Sequence, residues 1–234
     1  MTNGTSEGSA QRLRVLIVYF TYTQQSRKVA ETMAEGFRAK GCSVDLAAIE
    51  FTDKRWAERF TRFPFKHAYL DVVGMLPAQT RNATGEIHVP VEVREGEYDL
   101  VVIGSPTWFF RPSVPIRSFL ESDDAARLLK GGTPFAVYVC ARRYWSINFK
   151  QVKKLAARQG GEYVDNIHFV YAGGQVRSLL SLLSYFGKGE NVPKYLGVKI
   201  PPTNLQPEYE EATRSFAEGL SDKVAHLGAA EGAA

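Results

Sequence analysis

Cysteine is nearly absent. Only Cys42 and Cys140 occur in 234 residues, far apart and in neither a metal-binding nor a disulfide spacing, so a disulfide-stapled scaffold is excluded and a reducing cytoplasm is the expected compartment. No run approaches the roughly 18 apolar residues of a membrane span. The Gly-, Ser- and Thr-rich stretch from Met1 to Arg12 lacks the apolar segment of a signal peptide and reads as a tail. A strong charge of one sign is missing too: 29 Lys and Arg against 25 Asp and Glu leave +4, too mild for a dedicated nucleic-acid binder. No two histidines or acids stand at a metal-ligand spacing, so no metal is expected. Neither the Gly-x-Gly-x-x-Gly fingerprint of dinucleotide folds nor the lysine-bearing loop of nucleotide-triphosphate sites occurs.

What remains is a chain with 44% hydrophobic and 23% charged residues, long enough to bury a core as one domain over 13–227, with a small-residue tail over 228–234. β-branched runs alternate with segments of helical period, which predicts a parallel sheet with helices on both faces, an α/β three-layer sandwich. The five expected strands are Leu13 to Phe20, Ser43 to Ile49, Tyr98 to Gly104, Pro134 to Cys140 and Glu162 to Tyr171. Val29, Met33 and Phe37 mark the first helix and Gly41 its stop; further helices are expected over 112–120, 146–158 and 207–227. Two stretches, 51–90 and 173–207, are too long for ordinary connections and are read as insertions, either functional lids or extra edge structure.

In an open parallel sheet, ligands bind outside the carboxyl ends of the strands. The loop after the first strand carries Thr21, Thr23 and Ser26 and leads straight into a helix, so hydroxyls and unsatisfied backbone N–H groups converge. That arrangement suits a phosphate monoester, or it is a plain helix cap. The loop after the third strand, Gly104-Ser105-Pro106-Thr107-Trp108-Phe109-Phe110-Arg111-Pro112, has a Pro-stiffened turn and three consecutive aromatics. They either stack on a planar ring or belong to the core.

On these two loops, and on Pro112-Ser113-Val114-Pro115-Ile116-Arg117-Ser118-Phe119-Leu120, the sequence resembles the flavodoxin-like FMN-binding family, including its NAD(P)H:quinone and NADPH-dependent FMN reductase branches. A looser likeness is to flavodoxin-like proteins associated with dialkylresorcinol biosynthesis, from which no substrate is carried over. The resemblance covers the core and not the insertions. It implies a five-stranded sheet of order 2-1-3-4-5, the FMN phosphate on Thr21, Thr23 and Ser26, and the isoalloxazine lined by Pro106, Thr107 and Trp108. The loop Cys140-Ala141-Arg142-Arg143-Tyr144-Trp145 would close over the other side of the ring. The implied cofactor-contacting set thus comprises Thr21, Tyr22, Thr23, Gln24, Gln25 and Ser26, then Ser105, Pro106, Thr107, Trp108 and Phe109, then Cys140, Ala141, Arg142 and Tyr144. Gln24 stands where the family commonly has glycine, and a side chain there would narrow the phosphate pocket. The third loop lacks the usual glycines and carries two arginines.

The resemblance implies an FMN-dependent oxidoreductase, with NADPH or NADH as donor and a quinone-like or conjugated carbonyl substrate. Arg111, Arg142 and Arg143 would surround the ring, where a cation favours its anionic reduced form. Lys54, Arg55, Arg59, Arg62, Lys66 and Arg81 in the first insertion form either a receptor for the 2′-phosphate of NADPH or a solvated face. His67 is a proton donor to a quinone oxygen or a surface residue; Cys140 is a reactive thiol or a buried small hydrophobe. The apolar segment from Val176 to Phe186 would roof the flavin, line a tunnel, touch a membrane, form a homodimer contact or pack on the core. An electron carrier and a flavin-free module of the same fold are the alternative readings.

Overall fold

The computed structural model describes residues 12–60, 63–171 and 173–231. Its strands are β1 (Arg14–Tyr19), β2 (Ser43–Ala48), β3 (Glu50–Phe51), β4 (Ile87–His88), β5 (Leu100–Trp108), β6 (Arg111–Pro112), β7 (Pro134–Ala141), β8 (Glu162–Val170), β9 (Lys194–Tyr195) and β10 (Val198–Lys199). The helices are α1 (Gln25–Ala39), α2 (Ala57–Phe60), α3 (Ala68–Gly74), α4 (Leu76–Thr80), α5 (Val91–Glu95), α6 (Val114–Leu120), α7 (Asp123–Leu129), α8 (Trp145–Arg158), α9 (Gln175–Lys188) and α10 (Tyr209–Glu231). Five parallel strands run in the order β2-β1-β5-β7-β8, the 2-1-3-4-5 arrangement expected from the sequence.

Side chains alternate across the central strands and so define two cores. Val15, Ile17 and Tyr19 face α1 and α10, whose Val29, Met33, Phe37, Ala217 and Leu220 are buried against them. Leu16, Val18 and Phe20 face the opposite layer, with Ile116, Phe119, Leu129 and Val152 from α6, α7 and α8. Gly36 lets α1 and α10 approach closely, since a Cβ there would sit 2.9 Å from that of Ala217. The last helix reaches Glu231, so residues 228–231 are helical where a tail was expected. Residues 1–11 and 232–234 of the expected tails, and Arg62, lie outside the described residues.

One contact ties the sheet to the start of α1. Tyr138 on β7 pairs in register with Gly104 on β5, which pairs in turn with Tyr19 on β1. Paired residues of a parallel sheet point to the same face, so the Tyr138 ring lies across Gly104 and carries its hydroxyl to α1. There it donates to the Ser26 carbonyl at 2.9 Å and bonds the Ser26 hydroxyl at 3.0 Å. A Cβ on Gly104 would overlap the ring and hydroxyl of Tyr138.

The first insertion leaves the domain through a narrow neck, where β3 and β4 pair antiparallel. Asp53 sits buried beside it and accepts from the Arg55 guanidinium and from the backbone N–H groups of Arg55 and Glu86. The Arg55 guanidinium and these N–H groups hold the carboxyl well below its ordinary range. The second insertion comprises α9 and the β9–β10 hairpin.

Candidate functional site

The carboxyl ends of β1, β5 and β7 open into a cavity of about 390 Å³, within the roughly 300–1,000 Å³ of small-molecule sites. All three loops singled out in the sequence line it. From the first come Thr21, Tyr22, Thr23, Gln25 and Ser26; from the second Pro106, Thr107, Trp108, Phe109 and Phe110; from the third Cys140, Ala141, Arg142, Arg143 and Tyr144.

At one end lies the start of α1. The N-cap residue is Gln24, whose side chain makes no capping bond, so none of Thr21, Thr23 and Ser26 is the N-cap. The Thr21 hydroxyl is buried and, among the described residues, has no hydrogen-bond partner. An orphaned buried hydroxyl is costly unless a ligand satisfies it, and beside it the helix N-terminus carries partial positive charge. Gln25 serves the structure as well, its side-chain carbonyl accepting from the Leu205 N–H at 3.1 Å.

Gln24 does not narrow this end. Its side chain is exposed and absent from the cavity wall, and its backbone adopts the left-handed conformation, φ 62° and ψ 0°. Glycine takes that conformation freely, whereas other L-residues lose roughly 1–2 kcal/mol in it. Gln24→Gly is therefore expected to stabilise the chain by about 0.5–1 kcal/mol, glycine's greater unfolded-state freedom offsetting the rest. Thermal unfolding checks this; an unchanged or lower melting temperature counts against strain at Gln24.

The second loop is a tight hairpin in which β6 turns back on β5, pairing Thr107 with Pro112 and Trp108 with Arg111. Pro112 thus belongs to a strand, and the helix expected from it begins at Val114. Phe109 and Phe110 form the turn with φ of 44° and 71°, left-handed at both central positions as a primed hairpin turn requires. Tyr144 in the third loop has φ 57° and packs edge-on against Phe110 at 4.9 Å. Left-handed residues other than glycine thus recur in all three loops, and such strain concentrates at functional sites.

Ser105 is buried behind the wall and does not reach the cavity. Its hydroxyl donates to Asn148 Oδ1 at 2.8 Å, and Asn148 Nδ2 donates to the Thr107 hydroxyl at 2.7 Å. That leaves the Thr107 O–H directed away from Asn148 and available at the cavity wall. Asn148 escaped the sequence reading because a polar residue in an amphipathic helix carries no signal of its own. Cys140 lines the cavity as a buried thiol pushed up to about 12 by desolvation, the small-hydrophobe reading rather than a nucleophile.

The insertions supply the roof. Tyr22 stacks on Phe65 at 4.7 Å and meets Phe60 and Phe186 edge-on at 5.3 and 5.8 Å. Phe60 stacks on Trp108 at 4.8 Å, so one face of that indole is already taken. The two insertions join where the Phe65 N–H donates to the Phe186 carbonyl at 2.7 Å. Leu179, Leu182 and Phe186 of α9 line the cavity from above, with Val72 and Met75 from the first insertion. The described cations of the first insertion do not gather there. None of Lys54, Arg55, Arg59, Lys66 and Arg81 lines the cavity; Arg55 pairs with Asp53 at 2.6 Å and Arg59 stands 3.8 Å from Asp71. His67 is exposed at the start of α3, outside the cavity. Arg111 is likewise outside it and bonds the side-chain carbonyl of Asn82.

No protein-family model matches the chain, and no curated protein matches it. Solved structures do. A flavoprotein in complex with FMN from Lactobacillus acidophilus superposes with a TM-score of 0.50 at 18% identity, covering 67% of this chain and 93% of that one. A flavodoxin from the domain Archaea also gives 0.50, at 11% identity over 91% and 99% of the two chains. This is the flavodoxin-like fold. Rubredoxin oxygen:oxidoreductase from the anaerobe Desulfovibrio gigas contains it as well, with a TM-score of 0.50 and 12% identity over 92% of this chain and 37% of that one. In a flavodoxin-like sheet the β1 and β5 ends form the switch point where the strand order reverses, and the cavity opens there. Among the described residues no helix is long and apolar enough to cross a membrane.

Proposed function

We propose that the chain is an FMN-dependent oxidoreductase that takes electrons from NADPH or NADH and reduces a quinone-like or conjugated carbonyl compound beneath its roof. The flavoprotein from Lactobacillus acidophilus binds FMN on the same fold, and the residues here suit that cofactor. The orphaned Thr21 hydroxyl and the uncapped start of α1 offer hydrogen bonds to a phosphate, and Pro106, Thr107, Phe109 and Tyr144 offer walls to a flat ring. Bound there, FMN supplies two-electron transfer chemistry.

The protein's own residues provide the rest. Asn148 fixes Thr107, and the strained Phe109–Phe110 turn holds aromatic surface against the cavity. The observation that carries the enzyme reading is the roof. Two insertions meet over the cavity through Phe65 and Phe186 and cover part of an apolar compartment, where a protein-to-protein carrier needs an open edge. The test is anaerobic mixing of the FMN-loaded chain with NADPH or NADH in a stopped-flow spectrometer. Rapid bleaching without a partner reductase, and recovery of colour on adding menadione, are expected. Failure to take up FMN overturns the flavin reading; uptake without bleaching by either nucleotide favours the electron carrier.

A further inference from the structure

Base and roof of the cavity are joined by a side chain whose charge has no counter-ion. Arg142 follows the end of β7, and its Nη1 donates to the Ser178 hydroxyl on α9 at 2.6 Å. Its guanidinium carbon lies 5.9 Å from the centre of the Tyr171 ring. Nη2 is buried and, among the described residues, bonds nothing. Among the described residues no carboxylate pairs with Arg142; Asp71, the acid on the same cavity wall, faces Arg59. Desolvation pushes the guanidinium down to about 10, the mark of a cation held away from water. Its neighbour Arg143 is exposed, so burial at this point is particular to Arg142.

A part-buried cation with one buried, unbonded nitrogen is costly, and an anion entering the cavity would remove that cost. The donors present define the anion. Nη2 offers its two N–H groups, and Ser178, whose oxygen already accepts from Nη1, keeps its own O–H for a third bond. The lone pairs of a carboxylate's two oxygens can accept all three, and its single negative charge equals the one unpaired positive charge. A phosphate monoester carries close to two negative charges against that one cation, and the cavity already offers Thr21 and the start of α1 to phosphate at another place.

We propose that the compound bound beneath the roof is an aromatic carboxylate, and that Arg142 with Ser178 is its carboxylate receptor and the determinant of specificity. That this ligand is the electron acceptor rests on the oxidoreductase reading above; that the site selects a carboxylate does not.

The experiment is calorimetric titration of the full chain, with and without FMN, using 2-naphthoate and its neutral isostere 2-naphthamide. The acid is expected to bind at least tenfold more tightly than the amide. Arg142→Gln should abolish that preference, Arg142→Lys should keep part of it, and both should hold FMN within threefold of the parent chain. Equal binding of acid and amide by the parent chain overturns the proposal, and this comparison needs no variant. An unchanged preference in Arg142→Gln overturns it too, as does a variant that loses FMN and keeps the preference, since Arg142 then serves the cofactor. If the chain takes up no FMN yet still prefers naphthoate, the oxidoreductase reading falls and the carboxylate site stands.

Discussion

Replacing Gly104 by alanine is expected to destabilise the chain by about 3 kcal/mol, combining overpacking with weakened hydrogen bonds at Ser26. For a domain of this size that lowers the melting temperature by roughly 6–12 °C. The added methyl has nowhere to go: the Tyr138 ring occupies its place, fixed at its far end by the hydroxyl's bonds to Ser26. Relief requires the ring to lift, which breaks those bonds and frees the start of α1. The same substitution made in a Tyr138→Ala background should cost much less, because the clash has been removed. Thermal unfolding of the two single variants and the double variant measures this coupling, and additive losses would show that Tyr138 is not the obstacle.

Thr21→Val should separate binding from stability. The hydroxyl is buried and unpartnered, so removing it from the ligand-free chain leaves stability unchanged or slightly raised. Under the proposed function it donates to the FMN phosphate, a charge-assisted bond of roughly 1.5–3 kcal/mol. FMN affinity should then fall about 10- to 100-fold. Fluorescence titration with FMN, alongside thermal unfolding, reads both quantities. A loss of stability in the absence of FMN, or an unchanged affinity, would remove Thr21 from the phosphate site.

The framework was legible because it rests on strong local patterns. Val15 to Val18 and Leu100 to Ile103 are continuous apolar runs that only a doubly covered strand accommodates, and Val29, Met33 and Phe37 repeat at the helical period. The three loops followed from the position of strand ends. What escaped were relations between distant residues. Ser105 and Asn148 meet across 43 positions, and nothing in either segment announces the other. Charge patterning misled for the same reason: the cations of 51–90 look clustered along the chain, but Asp53 holds Arg55 at the neck and Asp71 faces Arg59. Gln24 was expected to obstruct the phosphate end through its side chain, whereas its consequence lies in the backbone. The insertions carry too weak a period to place Phe60, Phe65 and Phe186, whose positions depend on mutual packing.

The roof belongs to neither insertion alone. Each segment rejoins the domain at both ends, the first through the β3–β4 neck and the second between β8 and α10. A strap held at both ends cannot swing aside as a hinged flap does. What can part is the seam between the straps, where one backbone hydrogen bond and aromatic edges join Phe65 to Phe186. Any opening from this side therefore runs along that seam and not around the free edge of a flap.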